Sequence, residues 1–338
     1  MRIAVDAMGG DHAPEEILLG VARAIERGFV RPEEVALVGM VDRMETYLAR
    51  VPALRQCAQI VATEVVDMGE SPIKVLRKPN SSIMTAMDLV RRGEAAAFVS
   101  AGSTGACVAA AWRVLGPLPK VDRPGIAVTF VGASGPLTIL DVGANVHATP
   151  DHLLQYGVMG EQFSRNVLGV ATPRVALLNI GEEEEKGNRL VKGTRDLFQS
   201  ARFNFVGNVE GNDLLTGKAD VVVCEGFVGN VVLKVFEGVG HYFYDAVRGP
   251  LADAAAAASP LGQAVRNITQ KLDYAEYGGA PLLGVNGLVL IMHGRSDRRA
   301  MANALKVSAQ FVKADVNRQI GDALARAGAH GDAAGESA

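Results

Sequence analysis

Short apolar runs of strand length alternate along this chain with longer segments in which apolar residues recur every three or four positions. Ile3 to Val5, Val35 to Val38, Ile60 to Ala62, Ala95 to Val99, Val175 to Leu178, Phe203 to Val206 and Val221 to Val223 are runs of the first kind. Between them, Pro14 with Glu15 and Glu16 opens a helix to about Arg27, Ser71 and Ser81 start two helical pieces ending near Gly93, and further helices follow Pro150 and Asn188. Strand and helix signals in alternation, with short connections, predict βαβ units. Ile126 to Phe130 and Leu137 to Leu140 flank Gly132 to Gly135, so they read as a hairpin, and the sheet is predicted to be mixed but mostly parallel. One last helix is predicted from about Asp297 to Ala327.

The segment from His241 to Leu272 reads as a helical hairpin without strands. Leu261, Val265, Ile268 and Leu272 recur at helical spacing beside Arg266 and Lys271. Such a stripe packs in a core or a homodimer, or rests on a membrane surface. The expected organisation is one α/β/α unit over 1–330 carrying this hairpin at 241–272, with a disordered tail at 331–338.

Three glycine-bearing turns each follow a strand and lead into a helix: Met8-Gly9-Gly10-Asp11-His12, Ser100 to Gly105, and Cys224 to Asn230. Parallel strands would deliver them to one sheet edge, where helix N-termini present free N–H groups to anions. In the second turn, Gly102 and Gly105 admit close backbone approach and Ser103 and Thr104 add hydroxyls, unless those side chains merely cap the helix. Asn230 reads either as an amide donor to a carbonyl or phosphoryl oxygen, or as a cap. Asp11 and His12 form a base pair or a structural loop, and His147 carries the same ambiguity. Asp141 and Asn145 stand where a strand ends, at the expected ligand edge. Lys186 follows four glutamates, Glu182 to Glu185; it is a cation for an anionic nucleophile, or part of a solvated helix start.

Composition narrows the function. The 338 residues include 49% hydrophobic ones and carry a net charge of −3, so nothing global favours nucleic acid. Three scattered cysteines, Cys57, Cys107 and Cys224, fit a reducing cytoplasm rather than a disulfide framework or a cysteine zinc site. No dinucleotide fingerprint, no nucleophile elbow and no metal-ligand spacing of His and Cys occurs, and Gly211 to Lys218 fails as a P-loop because five residues intervene and Ala219 replaces the metal-binding hydroxyl. Cys107, in an Ala/Val helical context, reads as a buried inert thiol.

The ordered set VDAMGGDHAP at 5–14, SAGSTG at 100–105, DVGAN at 141–145, Gly187-Asn188 after Lys186, GFVGN at 226–230 (with Gly229) and YGGAPLLG at 277–284 resembles the bacterial acyl-acyl-carrier-protein:phosphate acyltransferase family. The resemblance runs from Met1 to about Val316. It implies a three-layer α/β/α fold like that of phosphate acetyltransferases and of isocitrate and isopropylmalate dehydrogenases. It also implies a homodimer with the hairpin as dimer and membrane contact, located at the cytoplasmic face of the membrane. The implied reaction moves a fatty acyl group from carrier protein to inorganic phosphate, supplying acyl phosphate to glycerol-phosphate acyltransferase without metal or redox cofactor. Lys186 and Asn230 match the family's catalytic lysine and asparagine. Departures are Glu182 and Glu184 in place of Thr and Gly, Glu225 in place of Asp, and Arg295 in place of a small residue. A coenzyme A-dependent acyltransferase and a non-catalytic scaffold for carrier protein are the alternatives. Arg266, Lys271, Arg298 and Arg299 are the candidate basic residues for docking acidic carrier protein.

Overall fold

The computed structural model describes residues 2–248, 259–260, 262–263 and 278–328. Eleven strands form one sheet: β1 Arg2–Asp6, β2 Val35–Gly39, β3 Ala58–Val61, β4 Ala95–Ser100, β5 Gly125–Gly132, β6 Gly135–Leu140, β7 Arg174–Leu178, β8 Asn204–Val209, β9 Val221–Val223, β10 Ala280–Leu283 and β11 Leu288–Ile291. Their spatial order is β3-β2-β1-β4-β11-β10-β5-β6-β9-β7-β8. The strands predicted from apolar runs are all present, and the β5-β6 hairpin closes at Gly132 and Gly135.

The sheet has two parallel halves of opposite direction. β3, β2, β1, β4 and β11 run one way, and β6, β9, β7 and β8 run the other. The three pairs between them, β11-β10, β10-β5 and β5-β6, are all antiparallel, and an odd number of reversals inverts the sheet. This corrects the expectation that all three glycine turns share one edge. Two of them, after β1 and β4, lie at one edge; the turn after β9 lies at the other.

Helices cover both faces. α1 Glu15–Glu26, α6 Pro150–Asn166, α9 Arg298–Ala314 and α10 Val316–Gly328 bury one apolar cluster. α4 Ser82–Arg91, α5 Thr104–Val114 and α8 Gly226–Arg248 bury the other. α2 Val41–Arg50, α3 Pro52–Arg55 and α7 Arg189–Gln199 complete the set. The single terminal helix predicted from Asp297 is two helices, because Asp315 adopts a left-handed conformation (φ 47°) that ends one and starts the next. β10 and β11, absent from the strand signals, are four residues each, and β10 contains Pro281, which weakens any strand pattern.

Of the predicted hairpin, residues 241–248 are the last turns of α8; the remainder, with Arg266 and Lys271, lies outside the described residues apart from 259–260 and 262–263, and so does the tail at 331–338. Among the described residues no helix is long and apolar enough to cross a membrane.

Candidate active site

At the first edge, the ends of β1 and β4 are locked together by one buried carboxylate. Asp6, at the end of β1, accepts from Ser100 Oγ at 2.7 Å and from the Met8 amide at 3.1 Å, and Ser100 Oγ in turn receives the Gly102 amide at 2.9 Å. Burial pushes the Asp6 carboxyl above its ordinary range, with hydrogen bonds from Ser82 and Ser100 opposing that rise. Gly9 lets the turns meet: a Cβ there would stand 2.5 Å from Asp6 Oδ2 and 2.7 Å from the Gly102 nitrogen. The Asp11 amide donates to Gly294 O at 2.8 Å, and the Met292 amide donates to Ser100 O at 2.8 Å, which adds the end of β11 to the cluster.

These contacts fix the turn that leads into α5. Among the described residues, the amides of Ser103, Thr104 and Gly105 find no acceptor, and the Ser103 side chain makes no capping bond. The simple capping role weighed for this turn is therefore not adopted. Unpaired first-turn amides with an exposed Thr104 hydroxyl are what an oxyanion needs. Close by in sequence to Asp11, the exposed His12 lines a cavity of about 620 Å³ with Tyr47, Arg295 and Asp297. His293 and Arg295 were not singled out as site residues by the sequence; the signal it held was the apolar run Leu288 to Ile291, not read as a strand, followed by His293-Gly294. Burial lowers the pKa of the His293 imidazole, so it is neutral at neutral pH, and its Nε2 lies 4.0 Å from a Glu237 carboxylate oxygen. Arg298 is engaged by Glu16, whose carboxyl it holds below the usual range, so it is not a spare docking cation.

The second edge is organised by Asp141. Its buried carboxylate accepts the amides of Ile126, Gly143, Ala144 and Asn145 at 2.8–3.0 Å. Asn145 donates its side-chain amide to Pro124 O at 2.5 Å and to Tyr156 Oη at 2.8 Å, so both residues hold the loop in shape. His147 is exposed on this loop. Helix α8 presses its first turn onto the same loop through Gly226 and Gly229; a Cβ on Gly229 would stand 1.9 Å from Asp141 O. That close approach sets the exposed Asn230 over Gly143, where its side-chain carbon and oxygen lie 3.7 Å from the position of a Cβ on Gly143.

The α8 terminus is not an open anion site, contrary to expectation. Glu225 folds back to accept the amides of Phe227 at 2.7 Å and Val228 at 3.0 Å, so a protein carboxylate already satisfies the helix dipole. Asn230, in the second turn, does no capping and keeps its amide available.

Lys186 lies on the loop after β7, at this second edge. Its run of glutamates is not a helix start; Glu182 pairs with Lys218, Glu184 contacts Arg195, and Glu183 holds Lys186 Nζ at 2.7 Å. The hydrogen bond to Glu183 raises the lysine's pKa, so Lys186 is a cation at neutral pH rather than a base. All three cysteines are buried, and burial pushes Cys57 up to about 11 and Cys107 up to about 12, with Cys224 also raised. None is an available thiolate nucleophile.

The structure thus gathers Asp11, His12 and Gly102 to Gly105 at one edge, and Asp141, Asn145, His147, Gly229, Asn230 and Lys186 at the other. β4 and β6 are four strand spacings apart, about 19 Å at ~4.8 Å each, and end at opposite edges.

The arrangement presents unpaired backbone amides at one edge and a lysine and an asparagine amide at the other, with all three cysteines buried. A family model described as fatty acid synthesis protein matches residues 1–319. The phosphate acyltransferase of Desulforudis audaxviator is 48% identical over 322 residues, covering 94% of both chains. That of Thermodesulfovibrio yellowstonii is 42% identical, covering 96% of this chain and 94% of its own. A phosphotransacetylase from Streptococcus pyogenes shares the fold with a TM-score of 0.61 at 15% identity, over 93% of this chain and 94% of that one. EutD phosphotransacetylase from Staphylococcus aureus does so with a TM-score of 0.58 at 14% identity, over 92% of this chain and 94% of its own. The chain belongs to the fatty acid synthesis protein family that includes these phosphate acyltransferases.

Two variants test the second edge. Gly229→Ala drives a methyl into Asp141 O and is expected to lower stability by about 1–3 kcal/mol in urea denaturation. Asp141→Ala leaves four amides without their acceptor and is expected to cost about 3 kcal/mol or more; a loss below about 1 kcal/mol would mean that water replaces the carboxylate.

Proposed function

We propose that this chain transfers a fatty acyl group from the thioester of acyl-acyl-carrier protein to inorganic phosphate, forming acyl phosphate for glycerol-phosphate acyltransferase. The observation that carries the reading is the first turn of α5, whose amides at Ser103 to Gly105 have no acceptor among the described residues and stand beside the exposed Thr104. Phosphate is the nucleophile; the α5 amides and the Lys186 ammonium are the chain's two anion-binding elements, and they stand at opposite sheet edges within one chain. One phosphate oxygen bonds to the thioester carbonyl carbon, and the resulting oxyanion takes a hydrogen bond from Asn230. The C–S bond then breaks, and the departing carrier sulfur receives the proton that hydrogen phosphate gives up. Charge and atoms balance without a covalent enzyme intermediate, which agrees with three buried, raised thiols. The protein's contribution is alignment and electrostatic stabilisation.

The architecture is read as that of the isocitrate and isopropylmalate dehydrogenases, with anion-binding turns serving phosphate instead of a dinucleotide. A homodimer and peripheral contact with the inner face of the membrane belong to the same reading. Exposed apolar residues on α8, namely Val231, Val235, Val239 and Tyr242, support an intermolecular contact there.

The test is incubation of purified protein with palmitoyl-carrier protein and phosphate, following free carrier thiol. Release should depend on phosphate and be slower with palmitoyl-coenzyme A; equal or faster turnover of the latter would reassign the donor. Lys186→Ala and Asn230→Ala should each lose about 100-fold or more in turnover, as removal of one oxyanion donor does. Glu183→Gln loosens the restraint on Lys186 and should lower the phosphate KM about two- to fivefold, matching the strength of an exposed ion pair.

A further inference from the structure

The cavity lined by His12 and Arg295 is walled by the same loops that hold the turn into α5. Gly10 stands where they meet: a Cβ there would lie 3.2 Å from Ala101 Cβ and 3.2 Å from Gly294 O. His12 is two residues beyond Gly10, at most about 7 Å of extended chain, and Arg295 directly follows Gly294. The volume of about 620 Å³ falls within the roughly 300–1,000 Å³ of small-ligand sites.

Charge decides what such a cavity can hold. All three carboxylates on its wall are already engaged by the protein. Glu16 accepts from the Arg298 amide at 2.7 Å and from Arg298 Nε at 3.0 Å, and Asp297 accepts the amides of Arg299 and Ala300 at 3.0 and 2.9 Å. Glu15 accepts from Tyr47 Oη at 3.4 Å. The cation is not engaged. Arg295 is exposed, its backbone amide donates to His293 Nδ1 at 3.2 Å, and among the described residues no carboxylate pairs with its guanidinium. His12 adds an imidazole N–H, and Arg43 donates to Ala13 O at 3.4 Å on the same wall. A guanidinium with unspent donors beside a cavity fits the oxygens of a phosphate group.

We propose that this cavity binds the phosphate at the far end of the donor's pantetheine arm, with Arg295 as the group that recognises it and His12 as a second donor. The proposal rests on the acyl-transfer reading and deepens it. The nucleophilic phosphate takes the α5 amides, and a second anion, joined to the thioester by an arm of two amide-linked units, takes the cavity one loop away. Ala13, Pro14 and the Tyr47 ring give that arm an apolar wall. Carrier protein and coenzyme A both bear phosphate at this end of the arm, so Arg295 selects phosphorylated pantetheine thioesters over plain ones.

Two donors that differ only by that phosphate, palmitoyl-phosphopantetheine and palmitoyl-pantetheine, test the site in the full-length protein with inorganic phosphate as acceptor. Wild type should favour the phosphorylated donor about tenfold in kcat/KM, the worth of one hydrogen bond to a charged group. Arg295→Ala should cut that preference to about twofold or less, through the donor KM. Arg295→Lys, which keeps the charge without the planar fork, should fall between the two. Calorimetry with phosphopantetheine, which needs no turnover, should show about tenfold weaker binding to Arg295→Ala than to wild type. A KM rise for palmitoyl-carrier protein alone assigns the subsite to the carrier's phosphate diester, and a rise for palmitoyl-coenzyme A alone assigns it to the coenzyme; either supports the site. An unchanged preference, an equal loss with both pantetheine donors, or a loss confined to the KM for inorganic phosphate would overturn it. A wild type that releases thiol from no donor removes the acyl-transfer reading instead, and calorimetry then decides the cavity on its own.

Discussion

Every feature of the candidate site depends on the reversal of strand direction at the middle of the sheet. β10 and β5 are the only means by which two parallel halves of opposite polarity share one hydrogen-bonded sheet among the described residues, and they fix which strand ends face which way. Parallel halves place loops of similar chemistry at their carboxyl ends. The reversal gives the molecule two such edges, one with open amides and one with a lysine and an asparagine amide.

Two buried aspartates do equivalent work at these edges. Asp6 fastens the ends of β1 and β4 through Ser100, and Asp141 fastens its own loop through four amides. Each is a carboxylate withdrawn from water and compensated by donors, which makes the surrounding turns rigid and their remaining groups predictable in direction. Rigid donors aimed in advance are the form of catalysis open to an enzyme whose nucleophile is a substrate. Glycines at 9, 226 and 229 serve clearance here: each stands where a Cβ would meet another atom of the site at 2.5 Å or less.

Much of this was legible in the sequence. Apolar runs ending in glycine turns gave β1, β4 and β9, and the Gly132 to Gly135 hairpin was visible from its flanking strands. Strand direction was not legible, because polarity is a property of tertiary pairing, and the deciding strand, β10, is four residues with a proline. The same limit applies to charge. Glu225 as the cap of α8, Glu183 on Lys186 and Glu16 on Arg298 are pairings between flexible side chains, which sequence spacing leaves open. His293 enters the site through the bond between Asp11 and Gly294, across nearly the whole chain. The left-handed Asp315 that divides α9 from α10 is likewise a single-residue event inside a continuous helical pattern.

The central claim is that inorganic phosphate is the attacking reagent, and isotope transfer addresses it most directly. With phosphate bearing 18O at every oxygen and palmitoyl-carrier protein as donor, mass spectrometry of the product should find acyl phosphate that retains all of the label, with carrier thiol appearing only when phosphate is present. Thiol release without phosphate, an acylated protein side chain, or an unlabelled oxygen bridging carbon and phosphorus would contradict the account.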